Sequence, residues 1–135
     1  MVEISALGID PELRDGGVWF TPAPRSPEFQ VKIRSTHSTI AKKAARAIDD
    51  PELILGFRDD PKNPEARVKA ADALCQVYIV DWRGIEDGGE PIPWSSAVGA
   101  QWFSREDWIP MLLDTMSAVS DHSRFSKRIR DDAGN

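Results

Sequence analysis

The sequence predicts an α+β domain, mostly helical, with a small antiparallel β element near its N-terminal side. Three observations carry that expectation. Residues 29–35 alternate apolar and polar with period two, placing Phe29, Val31 and Ile33 on one face and Gln30, Lys32 and Arg34 on the other. Apolar residues recur at helical spacing from Trp108 to Ile129. Asn63-Pro64-Glu65 reads as a helix start ahead of an alanine-rich run. At 135 residues, 41% of them hydrophobic, the chain fits one core, so a single domain over 1–135 is expected.

The elements follow in order. The stretch up to Pro11 is short and mixed, and Asp15-Gly16-Gly17 signals a turn. Residues 17–21 read as a strand. Pro22, Pro24 and Pro27 then enforce a loop, since proline removes a ladder donor. The alternating strand at 29–35 is expected to pair with 17–21 as a wide hairpin, giving a β element over about 17–34. Two strands alone are marginal, so helices over about 38–129 must cover the apolar side. The first runs over 38–49, with Ile40, Ala44, Ala47 and Ile48 on one stripe and Ser35, Thr36 and Ser38 as candidate caps. Asp49-Asp50-Pro51 ends it, because the residue before proline is pushed out of the α region.

The second helix is expected over 64–79, packing Val68, Ala71, Leu74 or Cys75, and Tyr78. Its end, Val77-Tyr78-Ile79-Val80, is apolar all round: either a buried helix end or extended chain. Residues 84–91 form an acidic, glycine-rich loop, and Pro91-Ile92-Pro93-Trp94 is extended. Ser95 or Ser96 caps a short helix over 96–102, and Ser104 opens the last one, over 104–129. A frayed tail covers 130–135. The expected core is Val18, Phe20, Val31, Ile33, Ile40, Ala44, Ile48, Leu74, Tyr78, Val80, Trp82, Trp108, Leu112, Val119 and Phe125.

Charge and composition narrow the function. Seventeen Lys plus Arg against 22 Asp plus Glu give a formal net charge of −5, which argues against a nucleic-acid partner. No run reaches the roughly 20 apolar residues of a membrane span, and the N-terminus lacks a secretory pattern, so no membrane partner and an intracellular setting are expected. One cysteine, Cys75, reads as a small buried apolar residue. His37 and His122 are far apart, no HExxH occurs, and the acidic loop lacks EF-hand spacing, so no metal, cofactor or catalytic residue is expected.

The five tryptophans are the informative excess, because tryptophan is enriched at interface hot spots. Trp82 and Trp94 bracket the glycine-rich loop and are expected to pack beneath it. Trp19 and Trp102 are candidates for partner contact, together with the basic Arg124, Lys127 and Arg128 near the end of the last helix. A binding or assembly protein fits better than an enzyme.

The run Val80-Asp81-Trp82-Arg83-Gly84-Ile85-Glu86-Asp87-Gly88-Gly89-Glu90-Pro91-Ile92-Pro93-Trp94-Ser95 resembles a motif of the tail assembly chaperones of long-tailed, siphovirus-like bacteriophages. Asp81, Trp82, Gly84, Gly88, Gly89, Pro91, Pro93 and Trp94 carry the likeness. The layout is similar over 17–135, and only 80–95 is specific. The resemblance implies a protein that binds the tape-measure protein and assists polymerisation of the tail tube protein; self-association is a separate partner expectation. It also implies action in the host cytoplasm and absence from the mature virion. It names no catalytic residue. The alternatives are a structural head–tail connector or tail completion protein of the virion and, from another class, a small enzyme or nucleic-acid modifier.

Overall fold

The computed structural model describes residues 8–45, 60 and 62–126. Among them the chain is α+β, as expected: five α-helices and a small antiparallel sheet around one core.

Helix α1 (Pro11–Gly16) precedes the sheet and takes in Asp15 and Gly16 of the expected Asp15-Gly16-Gly17 turn. Its start is encoded by Asp10, whose carboxylate accepts the Glu12 amide at 2.9 Å, and by Pro11 at the first helical position. Gly17 stops it with φ of 100°, its amide donating to the Leu13 carbonyl. Strand β1 (Val18–Phe20) follows at once and pairs antiparallel with β2 (Gln30–Ile33). In that register Val18 faces Ile33, Trp19 faces Lys32 and Phe20 faces Val31. Helix α2 (Thr39–Ala45) is capped by Ser38, whose hydroxyl accepts the Ala41 amide at 3.2 Å.

Helix α3 (Pro64–Ala73) begins as the sequence predicts. The Asn63 side chain accepts the amides of Glu65 and Ala66 at 3.1 and 3.2 Å. Alanines 66, 70, 71 and 73 are its buried face. The chain then widens into a π-helical turn (Leu74–Tyr78) and opens directly into a third strand, β3 (Ile79–Arg83). The expected helix over 64–79 therefore stops short, and the sheet has three strands in the order β1-β2-β3. The β-branched Ile79 and Val80, the first two strand residues, suit a pleated surface better than a helix. Ile79 lies opposite Ile33 while Asp81 lies opposite Lys32, so Val80 is a bulge residue, half-buried instead of core.

A small hairpin, β4 (Glu86–Asp87) and β5 (Glu90–Pro91), leads to helix α4 (Ser96–Phe103), capped by Ser95, whose hydroxyl accepts the Val98 amide. A 3₁₀ turn (Glu106–Trp108) then opens α5 (Ile109–Val119). The expected single helix over 104–129 is broken after Val119. Asp121 caps a separate 3₁₀ turn (His122–Phe125), accepting both the amide and the hydroxyl of Ser123. Asp and Ser side chains compete for backbone groups in this way, and three of them sit within four residues.

The core holds Val31, Ile33, Leu74, Trp82, Leu112, Val119 and Phe125, all expected, together with Phe29, Phe103 and the α3 alanines. Two expectations fail. Ile40 is 53% exposed and Val68 is 52% exposed. In α2 the buried residue is Ala41, one position on, so the packed stripe is rotated by about 100°. In α3 the alanines permit an approach too close for valine, and Val68 lies off that face. Val18, Phe20, Ala44, Tyr78 and Trp108 are half-buried at the core margin. Ile48, Ile129, the end of the expected 38–49 helix and the tail lie outside the described residues.

Candidate functional site

The 80–95 stretch folds as a lock around two indoles. Trp82 points inward from β3 and is 4% exposed. Its indole N–H donates to the Ile92 carbonyl at 2.8 Å, tying the strand to the chain that returns from the hairpin. Trp94 meets the Trp82 ring edge-on, with centroids 5.1 Å apart at 72°. Trp82 and Trp94 pack against each other, Trp82 buried and Trp94 half-buried. Gly99 of α4 is the seat for Trp94: a methyl group there would enter the indole ring and press on the Cys75 sulfur.

The motif glycines have distinct tasks. Gly84 has φ of 75° and lies so close to the Glu28 carbonyl that a side chain has no room. Gly88 and Gly89 are both left-handed, at 60° and 85°, and join Asp87 to Glu90 in a two-residue turn that matches the strand twist. The Ile92 amide then donates to the Ile85 carbonyl at 3.1 Å. Asp81 is exposed and accepts the Trp82 amide at 2.8 Å. Pro91 and Pro93 are exposed. These residues hold the shape of the loop.

From Trp82 a chain of rings crosses the core. Phe29 lies 6.1 Å from Trp82 and 5.8 Å from Trp108, and Trp108 in turn contacts Trp102 and Phe103. Trp102 ends the chain half-buried, with the Arg105 guanidinium 5.1 Å from its centroid. Asp107 accepts two bonds from Arg105, which holds its carboxyl below the usual carboxylate value and raises the guanidinium further. Sequence reading missed Phe29 as the connecting ring, because one aromatic in an alternating strand gives no sign of its partners.

Trp19 belongs to a different group, on the outer face of the sheet. The Arg83 guanidinium stacks on it at 3.9 Å, and Gln30 fixes that arginine by accepting from Nε at 2.9 Å and Nη2 at 2.6 Å. The Lys32 ammonium lies 5.9 Å from the same ring. Arg83 could not be paired with Trp19 until β3 was known to flank β2. Arg124 lies 4.8 Å over the Phe20 ring and 3.4 Å from the Asp121 carboxylate, beside a surface depression of about 370 Å³. Trp19, Trp102 and Arg124 thus sit in separate contact groups and do not form one site. Lys127 and Arg128 lie outside the described residues.

Cys75 is buried, and burial with the nearby Asp72 pushes its thiol pKa far up, so it stays protonated at neutral pH. His37 is exposed, its amide donating to Ser35 Oγ, and the side chain of His122 lies outside the described residues. Among the described residues no group of His, Cys, Asp and Glu could hold a metal ion, and no helix is long and apolar enough to cross a membrane. No family model, curated protein or solved structure matches the chain.

Proposed function

We propose that this chain is a tail assembly chaperone of a long-tailed bacteriophage. It binds the tape-measure protein, assists polymerisation of the tail tube, and then leaves, acting in the host cytoplasm and staying out of the finished virion. One observation carries the reading. The residues on which the resemblance rests, 80–95, form a single packed unit in which Trp82, Gly84, Gly88, Gly89 and Trp94 each have a defined structural task. A motif with that character marks a shared shape, as expected of a binding family without a catalytic residue. Chemistry at the surface supports it: Trp102 with Arg105 offers an apolar plane beside a cation, the kind of patch that covers an apolar stripe on a helical client. The surrounding charge keeps such a complex soluble.

The test compares gradient-purified particles with the matching infected-cell lysate by mass spectrometry. Abundance in the lysate with absence from particles is expected, together with co-purification of the tape-measure protein on the tagged chain. Stoichiometric presence in particles overturns the reading in favour of a connector or tail completion protein.

A further inference from the structure

We infer that the outer face of the three-stranded sheet is a self-association surface, occupied by the acidic β4–β5 hairpin of a second copy of this chain. The inference does not depend on the tail-assembly reading. It starts from a separation of charge. On the outer face, Trp19, Lys32 and Arg83 make a cationic platform with an aromatic floor. Arg83 is already ordered, because Gln30 accepts from its Nε and Nη2, leaving its Nη1 donors for an incoming carboxylate. The face also carries Asp81, opposite Lys32, and its carboxylate is engaged by the Trp82 amide. Neither Lys32 nor Arg83 makes an ion pair among the described residues.

Three residues beyond Arg83, the hairpin presents Glu86, Asp87 and Glu90, all exposed and likewise without an ion pair among the described residues. Its turn is shaped by two left-handed glycines, so the carboxylates sit on a defined ribbon. Three residues of chain span about 10 Å at most, so the basic and acidic patches are neighbours on one molecule that do not join each other. Adjacent patches of opposite sign are self-complementary under a two-fold axis, since each hairpin then lies on the other copy's platform and the contact is made twice. Ordering of Arg83 before contact removes part of the entropy cost that makes exposed ion pairs weak.

Sedimentation velocity of the full chain over a concentration series tests this at low salt and near 1 M salt, where screening shortens to about 3 Å. A dimer at low salt that dissociates at high salt is expected. Arg83→Glu alone, and the variant Asp87→Lys/Glu90→Lys, which reverses the two carboxylates paired on one face of the hairpin, should each self-associate at least about tenfold more weakly. Mixed in equal amounts the two should restore a dimer, because both contacts regain opposite charges. The hairpin positions are exposed and fold-neutral, and Lys32→Glu replaces Arg83→Glu if the latter loses its circular dichroism spectrum. A monomeric wild type at every concentration, an unchanged dimer in either variant, a monomeric mixture, or species larger than a dimer each overturns the inference.

Discussion

Replacing Trp82 by phenylalanine removes the indole N–H and part of a ring while leaving an aromatic in place. The lost bond is the 2.8 Å contact to the Ile92 carbonyl, which ties β3 to the segment leaving the hairpin. Removing one partner of such a bond costs about 1–3 kcal/mol when the other is left unpaired. Ile92 is half-buried, so water reaches part of that carbonyl and the lower half of the range applies. The smaller ring also leaves space against Phe29 and Trp94, worth about 1 kcal/mol more by the usual cavity penalty. The sum is about 2–3 kcal/mol. Urea unfolding measures it: with a slope of about 1–3 kcal/mol/M, the midpoint should fall by about 1 M or more with the slope unchanged. Amide exchange over 84–92 should accelerate more than exchange in α5, because the hairpin loses its tether first. A midpoint shift worth under about 0.5 kcal/mol, the ordinary range for surface changes, would refute the claim that Trp82 locks the loop.

Other expectations follow from the same contacts. Gly99→Ala should cost about 1–3 kcal/mol in the same unfolding assay, because the methyl enters the Trp94 ring. Gly16→Ala, with nothing near it and an ordinary φ, should be neutral or stabilising by up to about 1 kcal/mol. Asn63→Ala should cost about 1 kcal/mol by removing both amide bonds at the start of α3. Cys75 gives a pH signature. Its thiol is raised in the folded chain above the ordinary 9.0, so the folded state holds a proton that the unfolded state releases. Stability should therefore fall as pH rises past 9, with a slope of up to about 1.4 kcal/mol per pH unit. Cys75→Ala should flatten the slope between pH 9 and 10, below the ordinary value of the half-buried Tyr78, whose hydroxyl burial also raises, whatever it does to stability at neutral pH.

Local signals in the sequence were faithful where one residue decides an outcome. Asn63 with Pro64 starts α3, Ser95 caps α4, and the alternation of 29–35 gives β2 with its wet face correctly assigned. Signals failed where a partner decides. The 77–80 run is apolar all round and fits a buried helix end or extended chain equally; pairing with β2 decides that the strand begins at Ile79. Ile40 and Val68 match helical spacing, yet the alanines beside them permit a closer approach and take the packed face. Helix α1 is hard to read because its signature is a single Asp-Pro pair at the head of only six helical residues. The candidate site divides in the same way. Trp82 and Trp94 bracket a loop in sequence and meet in space, whereas Arg83 on Trp19 joins elements 64 residues apart.

The arrangement of the rings bears on what kind of binding surface this chain can offer. Trp94, Trp82, Phe29, Trp108 and Trp102 contact one another in succession from the hairpin side to the α4–α5 corner. Edge-on and tilted contacts of this kind fix ring orientation as well as position. Trp102 therefore reaches the surface as the end of a packed series, and Arg105, pinned by Asp107, is fixed beside it. Trp19, by contrast, is ordered by Arg83 and Gln30 without any ring of the core. Two surfaces are thus preorganised by independent means, one by core packing and one by a hydrogen-bonded cation. A ligand at either meets side chains that have already lost their rotamer freedom, so affinity at each depends on complementarity more than on ordering. Independence also means that substitutions on one surface should leave the other intact: Arg83→Glu should disturb the proposed self-association without changing the proposed client binding at Trp102, and Trp102→Ala the reverse. Loss of both activities from either substitution would show that the two surfaces are one.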